Sequence, residues 1–272
     1  MRALAAVAIL TAVAAGRPLA QTSCDVNGPT PCYSAAGVVS AADYRAGSLT
    51  PGAIVSLFGT GLSYCTRGVQ RKDLNGNVMP TMLVCPEGAP QVLVGSMPSA
   101  LFYVSPKQIN FQLANNLLPG QTYPLQVDLD ANYGPTVYIR LQAAAPAIFQ
   151  TDATTVVAAR PDGSLYTADS PARPYDWVIL YATGLGPTAP PVGDLEIPTV
   201  AARIVQPNDF QVLLDGAAVD PLLVPYAGVT PGFAGLNQVN LQMPAQFAAN
   251  PQIQLSLDGV TSPAGITLPA KP

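Results

Sequence analysis

The chain has 272 residues, 49% of them hydrophobic and 10% charged, with a formal net charge of -4. That much apolar material excludes a disordered chain, and an acidic balance without clustered Lys and Arg excludes a nucleic-acid binder built on phosphate contacts. Histidine is absent, which excludes Ser-His-Asp and Cys-His catalysis, imidazole general bases and histidine-ligated metals.

Residues 1–20 are expected to be a secretory signal peptide. Arg2 supplies a positive start, and the apolar run from Ala3 to Ala15 is too short to span a membrane. Cleavage is expected near Gly16 or Ala20. Cys24 follows Gln21-Thr22-Ser23, which lacks the Leu or Val of a lipoprotein signal. The mature chain is therefore expected to be secreted or periplasmic, without membrane insertion. Residues 21–37 are polar and rich in Gly and Pro, and are expected to form an irregular leader. The four cysteines, Cys24, Cys32, Cys65 and Cys85, all follow the signal. An even count in an exported chain favours disulfides. Of the possible pairings the sequential one is expected: Cys24 with Cys32 stapling the leader, and Cys65 with Cys85 clamping a polar excursion from Arg67 to Met79 around the turn Asn75-Gly76. A zinc site is the rival reading, but CxxC spacing is missing.

The 29 prolines and 23 glycines lie between short apolar runs, which suits strands and turns rather than long helices. In residues 38–146 the clearest strands are Ala53 to Gly59, Gln91 to Gly95, Leu101 to Val104, Gln108 to Leu113, Tyr123 to Leu129 and Thr136 to Leu141. In Gln108 to Leu113 the apolar Ile109, Phe111 and Leu113 alternate with Gln108, Asn110 and Gln112, the period of a half-buried strand. Ala143 to Phe149 is expected to be a junction. Residues 147–272 then offer Val156 to Ala159, Trp177 to Ala182, Phe210 to Leu214, Leu222 to Val224, Gln238 to Met243 and Gln252 to Leu257. Gly186 to Pro207 is a long proline-rich connection.

The second half repeats the first. Gln108-Ile109-Asn110-Phe111-Gln112-Leu113 returns as Gln238-Val239-Asn240-Leu241-Gln242-Met243. The segment from Pro51 to Leu62 is answered by Tyr175 to Leu185, and Gln91-Val92-Leu93-Val94-Gly95 by Gln211-Val212-Leu213-Leu214-Asp215-Gly216. A period of domain size excludes solenoids and propellers. The expected fold is all-β: two tandem immunoglobulin-like β-sandwich domains, 38–146 and 147–272.

The ordered motifs Pro-Gly-x-Ile-Val-Ser-Leu-Phe-Gly-Thr-Gly-Leu (51–62), Pro98 to Val104 and Ser105-Pro106-x-Gln108-Ile109-Asn110 resemble the Solibacter-type C-terminal domain family, repeated domains on secreted acidobacterial proteins. Val178 to Pro187 and Pro231-Gly232-Phe233-x-Gly235-Leu236-x-Gln238-Val239-Asn240 match in the second copy, so the resemblance covers residues 38 to 262. Each copy is more loosely similar to the IPT/TIG branch of immunoglobulin-like folds. The resemblance implies an extracellular β-sandwich pair and carries no catalytic residue across. The chain departs from it in being nearly all module and in its Cys65–Cys85 insertion.

The candidate chemistry is sparse. The lysines are Lys72, Lys107 and Lys271 and the glutamates Glu87 and Glu196. None lies in a catalytic motif, and nothing signals the converging acids that hydrolysis needs. Asp128-x-Asp130-x-Asn132 has calcium-loop spacing, but Tyr133 and Ile139 stand where the glycine and last ligand belong; a polar hairpin end is expected. The Gln-x-Asn-x-Gln ladder suits sugar hydroxyls, yet its presence in both copies favours a structural role. Tyr175-Asp176-Trp177 could form an aromatic sugar platform; Trp177 stands where the first copy has Ala53, the alternation places it ambiguously, and core or junction packing is expected. Gly61-Leu62 and Gly184-Leu185 are expected to be tight bends.

No catalytic residue, metal or cofactor is assigned. The chain is expected to be an exported, non-enzymatic binding, adhesion or spacer module whose partner is a protein or polysaccharide at the cell surface. A carbohydrate-binding module, a periplasmic two-domain chaperone using Arg140 with Arg160, and a histidine-free hydrolase are the alternatives. Function is expected where the copies differ: the Cys65–Cys85 insertion, the Gly186–Pro207 connection and the junction.

Overall fold

A computed structural model of the protein describes Cys24, Gly28 and residues 30–47 and 49–272. The expected signal peptide and its cleavage site lie outside the described residues. The chain first lays down β1 (Cys32–Ser40), β2 (Ile54–Thr60), β3 (Arg67–Gly68), β4 (Pro90–Val94), β5 (Met97–Pro98), β6 (Ala100–Val104), β7 (Gln108–Gln112), β8 (Thr122–Leu129), β9 (Asn132–Tyr133) and β10 (Val137–Arg140). It continues with β11 (Ala147–Ile148), β12 (Ala158–Ala159), β13 (Trp177–Thr183), β14 (Thr188–Ala189), β15 (Arg203–Ile204), β16 (Phe210–Leu214), β17 (Ala217–Ala218), β18 (Tyr226–Val229), β19 (Asn237–Gln242), β20 (Ile253–Leu257) and β21 (Val260–Thr261). The helices among the described residues are single 3₁₀ turns, at Arg71–Asp73, Pro207–Asp209 and Pro221–Leu223. No helix among them is long and apolar enough to cross a membrane.

The strands form two sandwiches, so the all-β, tandem immunoglobulin-like architecture holds. In the first, the sheet β1-β2-β7-β6-β3 packs on β10-β8-β4-β5. In the second, β11-β13-β19-β18-β15-β14 packs on β17-β16-β20-β21. The repeated blocks are the frame of each copy. β2 pairs antiparallel with β7, and β13 with β19 in the same way. The Gln91 and Gln211 blocks are β4 and β16, central strands of the opposite sheets.

Alternation decides which side chains enter the core. Val55, Leu57, Ile109 and Phe111 are fully buried, as are Val178, Leu180, Val239 and Leu241. Each such side chain is worth roughly 1.5–3 kcal/mol relative to exposure. Beyond the strands the chain bends at Gly61 (φ 64°) and Gly184 (φ 81°), dropping Leu62 and Leu185 into their cores. A Cβ at Gly184 would lie 2.1 Å from the Ala145 carbonyl oxygen, so glycine is required there for space as well as for φ.

The leader expected over residues 21–37 ends earlier than anticipated. Cys32 already opens β1, which pairs with β2 and bulges between Tyr33 and Val38. Tyr33 fixes this edge strand: its phenol oxygen crosses the sandwich and accepts the Val127 N–H at 2.7 Å. Burial pushes its pKa up to about 12, the Val127 N–H offsetting part of the rise. The segment expected to be a plain junction, Ala143 to Phe149, already contains β11, hydrogen-bonded to β13, and Ala144 belongs to the second core.

Candidate functional site

The four cysteines pair as Cys24–Cys32 and Cys65–Cys85. The second bridge closes an excursion whose 3₁₀ turn is held by an Arg67–Asp73 ion pair. Asn75 and Val78 exchange backbone hydrogen bonds around Gly76. The excursion is not a free loop. Met79 N–H donates to the Leu195 carbonyl at 2.8 Å, and Ile197 N–H to the Asn77 carbonyl at 2.7 Å. The proline-rich connection of the second copy thus pairs its backbone with the insertion of the first. Apolar side chains follow: Met79, Ala100 and Ala234 are buried together, with Val69, Leu74, Phe102, Leu195 and Ile197 against them.

This small third core is one half of the junction. The other half joins the frames directly. Ile54 N–H donates to Thr183 Oγ1 at 2.9 Å. Asn115 Nδ2 donates to the Gly193 carbonyl at 2.9 Å, and the Asn116 N–H to Asp194 Oδ1 at 3.0 Å. A Cβ on Gly235 would come within 2.9 Å of Ile54 and 3.1 Å of Gln112, so the loop before β19 presses onto the start of β2 and the end of β7. The first copy's β2–β7 end therefore rests on the second copy's β13–β19 top.

The equivalent end of the second copy carries no such cover among the described residues. Register places Trp177 across from Gln242 as Ile54 lies across from Gln112. Trp177 is thus the counterpart of Ile54, not of Ala53. It is 41% exposed and joins none of the cores, which corrects the expected core or junction packing. The junction lies at the Thr183 end of β13, about 20 Å away at 3.3 Å per strand residue. Two residues before it stands Tyr175, 64% exposed. Its φ of +69° is a left-handed conformation unfavourable for a ring-bearing side chain. The first copy has Gly52 there, at φ 76°.

Neighbouring groups hold this end in shape. Tyr175 N–H donates to the Met243 carbonyl at 3.0 Å, and Gln242 Nε2 to the Tyr175 carbonyl at 3.4 Å. Asp176 accepts the Arg173 N–H at 2.8 Å. The Tyr166 hydroxyl donates to the Trp177 carbonyl at 3.0 Å, and the Arg160 guanidinium lies 4.0 Å over the Tyr166 ring. Burial, then Asp176, raises the Tyr166 pKa, so this hydroxyl stays protonated at neutral pH.

The amide ladder is largely spent on itself. Gln108 Nε2 donates to Asn110 Oδ1 at 2.8 Å, and Gln238 Nε2 to Asn240 Oδ1 at 2.7 Å. The third amide of each ladder ties down the preceding turn, Gln112 on Gly52 and Gln242 on Tyr175. Identical bonds in both copies fit the structural role expected of the ladder. On the same outer face of the second sheet, Tyr181 lies across from Gln238, and Tyr226 across from Asn240.

The remaining candidates are local. Asp128 accepts the Ala131 N–H, Asp130 the Ala89 N–H, and Asn132 donates to the Leu129 carbonyl, so the calcium-like spacing builds a hairpin end. No group of three or more metal-binding side chains occurs among the described residues. Glu196 accepts the Gly193 N–H. Arg160 donates to Leu165 and Ser170 within its own loop, whereas Arg140 sits on β10 of the other sandwich. The structure does not join them into a basic cleft.

No family model matches the chain, and no curated protein matches it in sequence. Among solved structures it is similar to a surface glycan-binding protein from Prevotella bryantii, at 10% identity over 85% of this chain and 40% of that one, TM-score 0.27. A second is SGBP-B from a complex xyloglucan utilization locus in Bacteroides uniformis, at 11% identity over 89% of this chain and 50% of that one, TM-score 0.25. A third is domains 5-6 of the S-layer protein SbsC, at 12% identity over 89% of this chain and 98% of that one, TM-score 0.27. The chain spans half or less of the first two. Scores at this level carry no argument; the fold stands on the strand pairings and cores described above.

Proposed function

We propose that the protein is an exported, non-enzymatic binding module of the Solibacter-type C-terminal domain kind, and that it binds a neutral polysaccharide at the Tyr175–Trp177 end of its second sandwich. One observation carries the reading. Where the first copy places Gly52 and Ile54 in the junction, the second exposes Tyr175 and Trp177 and keeps Tyr175 at positive φ. Strain of this kind persists only where the surroundings over-determine it, and it clusters at ligand-binding positions. Aromatic rings offer flat apolar faces to the C–H faces of sugars, and the Gln242 amide beside them can meet hydroxyls. Disulfides fit the oxidising space outside the cytoplasm.

Retention on insoluble neutral polysaccharides tests this. Wild-type protein is retained, and Tyr175→Ala with Trp177→Ala lowers affinity at least tenfold. Equal retention of both proteins, or none of the wild type across cellulose, xylan and chitin, overturns it.

A spacer is the second reading, favoured by the third core and the backbone bonds that lock the two sandwiches together. Such a spacer keeps its fixed domain geometry in solution scattering while showing no ligand at either end.

A further inference from the structure

The junction encloses a cleft of about 170 Å³, somewhat larger than the ~150 Å³ cavity that accepts one benzene ring. Pro51 and Pro119 from the first copy and Pro187 and Pro198 from the second supply apolar walls, and no charged or aromatic side chain lines it. Two amides on its walls have unused capacity. Gln112 is 3% exposed; its Nε2 donates to Gly52, but its Oε1 is buried without a partner. Asn237 Oδ1 receives the Leu185 N–H at 3.4 Å, and its Nδ2 donates to nothing among the described residues. Among the described residues the other buried, unpartnered side-chain oxygens belong to Thr50 and Thr230, sequence neighbours of the wall residues Pro51 and Val229. A buried acceptor without a partner is destabilising, and the Gln112 acceptor belongs to a residue of the cleft wall.

We propose that this cleft is a ligand site for a single neutral sugar ring. One hydroxyl of the ring donates to Gln112 Oε1, a neighbouring hydroxyl accepts from Asn237 Nδ2, and its C–H faces lie against the prolines. The absence of charge on the walls sets the class: a sugar acid or phosphate would enter with no cation to receive it. The site draws one amide from each sandwich, so an occupant bridges the two. It is separate from the Tyr175–Trp177 end and does not depend on the reading given there.

The test is a titration of the full ¹⁵N-labelled chain with glucose, N-acetylglucosamine and, as a non-sugar diol, 1,2-cyclohexanediol. Saturable shifts are expected at the Gly184, Gly186 and Gly235 amides with at least one sugar. Gln112→Met removes the unpartnered acceptor together with the Nε2 bond to the Gly52 carbonyl, and weakens binding at least tenfold in a chain whose ¹⁵N spectrum remains that of the folded protein. Asn237→Asp keeps the acceptor for Leu185, removes the donor, and weakens binding similarly. Trp177→Ala leaves the cleft shifts intact. The proposal is overturned if no sugar gives saturable shifts at the cleft, if shifts gather only around Tyr175 and Trp177, or if both cleft variants bind as the wild type does.

Discussion

The two copies share one frame but end differently. At the foot of the first, Ile54 and Gln112 are pressed under Gly235, and the Ile54 N–H is bonded to Thr183. At the foot of the second, the equivalent Trp177 is exposed and Gln242 half-buried, and a glycine position is occupied by Tyr175. The hydrogen bond from the last ladder amide to the turn carbonyl is the same in both. The backbone therefore does not decide what an end is for; the side chains at two positions and the presence of a neighbour do.

The comparison breaks most sharply if the clamp on the closed end is released. Replacing Cys65 and Cys85 together by Ser opens a loop of sequence separation 20, which should cost ~3 kcal/mol by chain entropy. Proteolysis at residues 66–84 and 186–197 should accelerate together, because the two segments hold each other; acceleration of only one would separate them. Next comes Gly52→Tyr, which gives the closed end the residue of the open one. A Cβ there would lie 2.3 Å from Asn115 Oδ1, whose amide holds Gly193. Left-handed strain and a lost hydrogen bond together should cost about 2–3 kcal/mol in urea unfolding.

A comparable effect belongs to Tyr33, the tyrosine that braces the first copy. Tyr33 has its pKa raised from 10.0 to about 12, so between these values the unfolded chain has lost a proton that the folded chain keeps. Stability is then complete below pH 10 and falls as pH rises towards 12, by up to ~3 kcal/mol. Tyr33→Phe should remove most of that slope and leave the Val127 N–H unpartnered, costing about 1–3 kcal/mol at neutral pH. The smallest effect is the most telling for the open end. Tyr175→Gly should raise stability by ~1 kcal/mol through relief of positive φ, measured by calorimetry, while weakening polysaccharide retention. A Gly variant that is both more stable and equally retentive removes Tyr175 from the binding surface.

Much of the frame was legible because its strands alternate with period two and recur in the same order; Ile109, Phe111, Val239 and Leu241 lie where that alternation puts them. Trp177 was misplaced because the blocks beginning at Pro51 and Tyr175 differ in length by one residue, and a slip of one turns a strand residue to the other face. β1 was missed because its Cys-, Ala- and Gly-rich text does not alternate; β2 and the Tyr33–Val127 bond define it. The insertion and the connection are visible in the sequence as segments where the copies differ, but their pairing is not. Asn77 to Met79 and Leu195 to Ile197 meet across more than a hundred residues of chain, and no local pattern encodes that contact.

The tie between those segments has a mechanical meaning. Residues 142–146 are the covalent link between the sandwiches, yet a pull drawing the two apart does not fall on that link alone. It is shared with the backbone bonds Met79–Leu195 and Ile197–Asn77 and with the apolar plug beneath them. The disulfide at the base of the excursion passes that share back to β3 and β4. The pair of sandwiches is thus joined at two points, by the covalent link and by the contact of the insertion with the connection.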